Sequence, residues 1–131
     1  MKKLKVKSEK LKMKDNPLKD RSYAFAIRIV KMSHHLQMDK REFVLSRQVL
    51  RSGTAIGALI REAEFGHSKA DFIHKMGIAL KEASETEYWL SILKDTDYID
   101  QKTFDLLNAE CKELIAMLVA TLKTAKKNQK P

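Results

Sequence analysis

Leu45-Ser-Arg-Gln-Val49-Leu-Arg-Ser52-Gly-Thr-Ala-Ile56-Gly-Ala-Leu-Ile60-Arg-Glu-Ala63 is the stretch that decides the fold. Leu45, Val49, Ser52, Ile56, Ile60 and Ala63 recur at intervals of four and three, which stacks them on one face of an α-helix. Arg47 and Arg51 stand one turn apart on the polar side, and Arg61 falls near the same face. The same spacing appears three more times to either side. Leu18, Phe25, Ile29, Met32 and Leu36 form the first stripe, and Phe72, Met76, Ala79, Ala83, Thr86, Leu90 and Leu93 the third. Phe104, Leu107, Cys111, Leu114, Leu118 and Ala125 form the fourth, reinforced by Ile115 and Leu122. Steps alternating between three and four let antiparallel helices interlock along a left-handed bundle. The expected fold is all-α, an antiparallel up-and-down four-helix bundle.

The breaks between stripes support that count. Only Pro17 and Pro131 occur, and they bracket the patterned region, which suits helices and not a β-rich chain with many turns. Asp39 with Glu42 reads as a capping box opening the second helix. Gly66 reads as a stop able to take the left-handed closing conformation, and Ser68 as the cap that starts the third helix. Asp100 reads as the cap of the fourth. Residues 1–21 hold nine basic groups against Glu9, Asp15 and Asp20, or +6 of the total +9. The expected organisation is a flexible basic tail over 1–16, the bundle over 17–127 and a short tail over 128–131.

With 131 residues, 44% of them hydrophobic and 33% charged, the chain fits one folded domain. No apolar run approaches the length of a membrane span or follows the N-terminal lysines as a signal peptide would, so a cytoplasmic protein is expected. A lone Cys111 excludes an intrachain disulfide and fits a reducing compartment.

No constellation carries catalytic chemistry. His34 and His35 point about 100° apart on a helix and cannot share one metal well. His67 falls at a break and His74 on the third helix, with no HExxH or carboxylate–xx–His pattern around them. Glu82 and Glu85 are i,i+3 neighbours but lack the accompanying histidines of a di-metal bundle, so they read as a solvated charged face. Cys111 sits in the core stripe with no base beside it. Phosphate-binding glycine loops and nucleophile elbows are absent from the sequence. Catalytic residues, metal and cofactors are therefore expected to be none, and no small-molecule substrate is expected.

Three surface features remain. Gly53 and Gly57 weaken the second helix by up to about 1 kcal/mol each relative to Ala, so something approaches its backbone closely. Packing against a neighbouring helix explains this first, and a ligand lying on that face second. Tyr23, Ile27 and Val30 form a second apolar stripe nearly opposite Phe25 and Ile29, and Tyr88 and Ile92 likewise project away from Phe72 and Leu90. Off-core apolar stripes on a small bundle point to self-association. Finally, residues 68–97 carry a local −2, so the positive charge collects at the termini and on the first two helices. Arg28, Lys31, Arg47, Arg51 and Arg61 are the candidate phosphate contacts there.

Ser46-Arg-Gln-Val-Leu-Arg-Ser-Gly-Thr-Ala-Ile-Gly57-Ala-Leu-Ile-Arg-Glu-Ala63, followed by Lys69-Ala-Asp-Phe-Ile-His-Lys-Met76 and Ile78-Ala-Leu-Lys-Glu-Ala-Ser-Glu-Thr-Glu-Tyr-Trp89, resembles a bacterial four-helix-bundle family. The family comprises proteins encoded in intervening sequences of large-subunit ribosomal RNA genes, and relatives of the accessory variability determinant of diversity-generating retroelements. The likeness runs from about Leu18 to Lys126. It implies a non-enzymatic bundle assembling as a ring, typically a pentamer, with a basic surface suited to RNA or DNA. The family usually has Asn where this chain has Leu59. A ring would also account for Gly53, Gly57, Tyr23, Ile27, Val30, Tyr88 and Ile92, which are the expected subunit interface. The leading expectation is an oligomeric nucleic-acid-binding protein with itself and nucleic acid as partners and no membrane. The alternative is a protein–protein adaptor or assembly scaffold using the apolar stripes.

Overall fold

The computed structural model describes residues 17–129, which form α1 (Pro17–Met38), α2 (Leu45–Glu64), α3 (Lys69–Asp95) and α4 (Gln101–Gln129), with no strand among them. The basic tail expected over 1–16 lies outside the described residues. Pro17 opens α1, where its missing N–H costs nothing and its fixed φ suits the first turn. Each helix touches its sequence neighbour, α1 also meets α4, and the diagonal pairs stay apart among the described residues, as in an up-and-down bundle. The α1–α4 seam is the thinnest of the four.

Every stripe position on α1 is buried, and so are those on α2 to α4 except Leu45, Phe72, Phe104 and Ile115. Those four are half-buried and pack against the core. Each large buried side chain contributes about 1.5–3 kcal/mol by leaving water. The small polar members of the stripes find partners inside: Ser33 Oγ donates to the Ser46 carbonyl at 3.1 Å, and Thr86 Oγ1 to Ser52 Oγ at 2.9 Å. Leu59 packs against the core, so an apolar contact stands at this position.

The helix ends correct three expectations. Glu42 does cap α2, but Asp39 takes no part and the helix starts at Leu45, beyond the expected capping box. The Glu42 carboxylate accepts from the amides of Val44, Leu45 and Ser46 at 2.8–3.2 Å, while Asp39 engages His35 instead. A tight connection with Arg41 at φ 56° separates Asp39 from the helix it was expected to open. Gly66 has no left-handed φ. Its value is space: a Cβ there would meet Asp71 Oδ2 at 2.6 Å and the Ala63 carbonyl at 3.2 Å. The fourth helix runs to Gln129, past the boundary expected at 127, because no helix breaker intervenes. Ser68 and Asp100 cap as expected, accepting from the amides of Asp71 at 3.0 Å and Thr103 at 2.8 Å.

Gly53 and Gly57 lie on the side of α2 that packs against α1. A Cβ on Gly53 would sit 2.9 Å from both Cγ1 and Cγ2 of Ile29, and one on Gly57 would sit 3.3 Å from Ser22 Oγ. Gly77 on α3 is open, with nothing within 4 Å of a built Cβ. Gly77→Ala is expected to raise stability by up to about 1 kcal/mol by restricting the unfolded chain and favouring the helix. Gly53→Ala gains the same propensity but overpacks Ile29 at a cost of about 1–3 kcal/mol. Opposite shifts of the denaturation midpoint, measured by circular dichroism, check the pair.

Candidate functional site

Ion pairing divides the candidate cations into two groups. Arg51, one turn beyond Arg47 on α2, reaches across to α3, donating to Glu82 Oε2 at 3.1 Å and Glu85 Oε2 at 2.5 Å. Glu85 Oε2 also accepts from the Trp89 indole at 2.9 Å. The indole and the guanidinium together hold the Glu85 carboxyl below its usual range, while Glu82 and then Glu85 raise the Arg51 pKa. Arg28 turns to α4, donating to Glu110 Oε2 at 2.7 Å, and Arg21 pairs with Glu113 along the same thin seam. The remaining oxygens of Glu82 and Glu110, both Oε1, are buried without a hydrogen-bond partner. Arg51 and Arg28, expected as phosphate contacts, also act as interhelical struts beside these half-buried carboxylates, with their own side chains about half exposed. The face read as solvated carboxylates is an interhelical cluster.

Lys31, Arg47 and Arg61 are exposed and form no ion pair among the described residues. Arg61 lines an open groove of about 380 Å³ between α1 and α2, together with Tyr23, Ala26, Thr54, Gly57 and Ala58. Thr54, Gly57 and Ala58 give the α2 side of this groove only small side chains. Lys19 also lines it and pairs with Glu64 at 3.0 Å.

Of the expected interface residues, Tyr23 (67% exposed), Ile27 (41%), Val30 (48%) and Tyr88 (58%) stand on the surface. Ile92 is half-buried and Gly57 half-buried against Ser22. Gly53 is buried against Ile29, in packing within the chain. Sequence reasoning missed Met38, Phe43 and Val44 around the first connection, and Phe65 and Leu106, all exposed. Arg41 lies over the Phe43 ring at 5.5 Å from its centroid. The only signal for these residues in the sequence is their position outside the stripes.

A larger cleft, of about 550 Å³, opens at the end of the bundle that carries both the 39–44 and 96–100 connections. Lys31, His35 and Lys40 line one side, and Asp97, Tyr98 and Asp100 the other. Its lining spans two connections distant in sequence, so spacing gave no hint of it.

Among the described residues no group of three or more His, Cys, Asp or Glu is placed to hold a metal, and none of the helices is long and apolar enough to cross a membrane. His35 Nδ1 lies 2.6 Å from Asp39 Oδ2, and His34, His67 and His74 are exposed. Cys111 Sγ donates to the Ala83 carbonyl at 3.2 Å, and burial, followed by the nearby Glu87 charge, pushes the thiol up to about 12.

Comparison with known proteins adds two similarities. Residues 14–120 match the family described as 23S rRNA-intervening sequence protein. A crystal structure of a protein of unknown function from the S23 ribosomal protein family of Bacteroides thetaiotaomicron VPI-5482 is 50% identical, with a TM-score of 0.80, over 81% of this chain and 98% of that one. No curated protein matches the chain.

Two measurements separate struts from free cations. Arg51→Glu is expected to lower stability by at least about 1 kcal/mol, since it leaves Glu82 and Glu85 facing a third negative charge, whereas Arg47→Glu stays within about 0.5 kcal/mol in urea denaturation. Cys111 is expected to resist thiol reagents at pH 8 in the native protein and to react fully in guanidinium. The folded pKa lies above the thiol's ordinary 9.0, so the associated stability is full below pH 9 and declines as pH rises towards about 12.

Proposed function

We propose that this chain, which belongs to the 23S rRNA-intervening sequence protein family, is a non-enzymatic, self-associating bundle that binds nucleic acid through its basic surface. The observation that carries this reading is the set of exposed, unpaired cations: Lys31, Arg47 and Arg61 have no carboxylate partner among the described residues. Unpaired guanidinium groups suit phosphate oxygens, and each phosphate contact releases condensed counterions. Arg28 and Arg51 hold the scaffold and contribute less, because a phosphate would have to compete with carboxylates already in place.

Self-association draws on Tyr23, Ile27, Val30 and Tyr88, whose exposure would otherwise cost solvation. A closed homo-oligomer, with the pentamer as the expected size, covers these residues and multiplies the basic surface around a ring. The role is that of a cytoplasmic partner of RNA or DNA reading backbone charge and shape, with no base-reading element inserted in a groove. The same exposed stripe supports the second reading, an adaptor that docks another protein there. The two differ in salt response, because apolar docking survives high salt and phosphate contacts do not.

Affinity for a structured RNA, measured by filter binding, is expected to fall with a log–log salt slope of about −0.9 per phosphate neutralised on a duplex. The Lys31→Glu/Arg47→Glu/Arg61→Glu variant is expected to lose at least about tenfold in affinity at unchanged stability. Salt-independent binding, or none, overturns the reading. Tyr23→Glu or Ile27→Glu is expected to release single chains in light scattering after size exclusion, where the parent protein runs as a multimer.

A further inference from the structure

Among the described non-glycine residues only Arg41, at φ 56°, and Asp97, at φ 66°, have left-handed backbone, and they occupy the two connections at one end of the bundle. Such conformations cost of order 1–3 kcal/mol for most residues and persist where the surroundings impose them, often beside ligand sites. Here the surroundings are visible. Glu42 fixes the first connection through its amide, bonded to the Leu36 carbonyl at 2.9 Å, and through the three amides its carboxylate accepts. The second is fixed by the amides of Tyr98 and Ile99, which both turn back to the Leu93 carbonyl.

The cleft of about 550 Å³ lies between these connections, within the ~300–1,000 Å³ of small-ligand sites. Its lining is chemically mixed. Lys31 and Lys40 form no ion pair among the described residues, and Asp97, which lines the same cleft, forms none with them. Asp100 is committed to the Thr103 amide and His35 to Asp39. Tyr98, half-buried against the core, is the one aromatic side chain in the lining. A fitting ligand therefore presents an anion to two ammonium groups, a flat face to a phenol ring and hydrogen-bond donors to a carboxylate. Inorganic phosphate lacks the flat face, and each phosphate beyond the first adds to the repulsion from Asp97 and Asp100. A nucleotide unit has all three, and only when unpaired, since pairing occupies the base edge and hides its face.

We propose that this cleft receives one unpaired nucleotide, its phosphate held by Lys31 and Lys40, its base against Tyr98, and a ribose hydroxyl or exocyclic amine donating to Asp97. The proposal rests on the nucleic-acid reading above and narrows it to strands with exposed bases. It also reverses an electrostatic expectation. If the end of the bundle attracts polyanions by charge alone, removing Asp97 tightens binding; if Asp97 accepts a hydrogen bond from the nucleotide, removing it weakens binding.

The test titrates the full chain, isotope-labelled for amide NMR, with a 12-nucleotide single-stranded RNA, with the same sequence as a duplex, and with the mononucleotide alone. Saturable shifts of the Asp97, Tyr98 and Thr103 amides with the single strand are expected, and absent with the duplex. Asp97→Gly, which suits a positive φ, and Lys40→Ala, on an exposed site, are each expected to weaken single-strand affinity by about tenfold, the value of one charge-assisted hydrogen bond. Saturation by the mononucleotide at the same amides supports the site with a free nucleotide as its source. Single-strand binding that leaves these amides unmoved, or that Asp97→Gly strengthens, overturns the cleft while leaving the broader reading intact. No binding to any of the three probes overturns both.

Discussion

The close crossing of α1 over α2 is the constraint on which the rest of the surface depends. Ile29 lies where a Cβ of Gly53 would be, and Ser22 fills the place beside Gly57. With the two backbones this near, Ser33 can reach the Ser46 carbonyl, and Ser52 in turn meets Thr86 on α3. Two buried hydrogen bonds, one in the α1–α2 seam and one in the α2–α3 seam, thus satisfy polar groups within an otherwise apolar interior. The outer side of the same crossing carries Tyr23, Ala26, Thr54 and Ala58, so the groove beside Arg61 is the external face of the glycine contact.

Charge is distributed by the same geometry. Carboxylates on α3 and α4 that lie at helix–helix borders draw Arg51, Arg28 and Arg21 across to them, and an oxygen on Glu82 and one on Glu110 are buried in the process. Glu82 and Glu110 are half-buried and gain from the arginines beside them, whereas the Arg21–Glu113 pair is exposed on both sides. Lys31, Lys40, Arg47 and Arg61 are exposed and form no ion pair among the described residues. Net charge therefore overstates the number of unpaired cations on the described surface.

The fourth stripe shows how far an apolar position constrains chemistry. Cys111 occupies a core site, its Sγ donates to the Ala83 carbonyl, and the thiol stays protonated far above neutrality. A thiol held in that state has neither the ionisation nor the access that nucleophilic work requires. Its role is that of a small side chain closing the α3–α4 interface.

Helix number, helix faces and the core were legible in the sequence, because a period near 3.6 residues is a local property and a buried stripe needs no partner to be recognised. Leu18, Phe25, Ile29 and their counterparts are buried for that reason. The caps at Ser68 and Asp100 were legible too, since each acts within three residues. The tertiary structure alone decided which arginines are free, because Arg51 and Glu85 are separated by 34 residues and Arg28 and Glu110 by 82. It also decided that Gly53 serves the chain's own α1, and that Lys40 and Asp97 share a cleft. Periodicity specifies the direction of a side chain around its own helix axis, whereas its partner is determined only when two axes have been brought together.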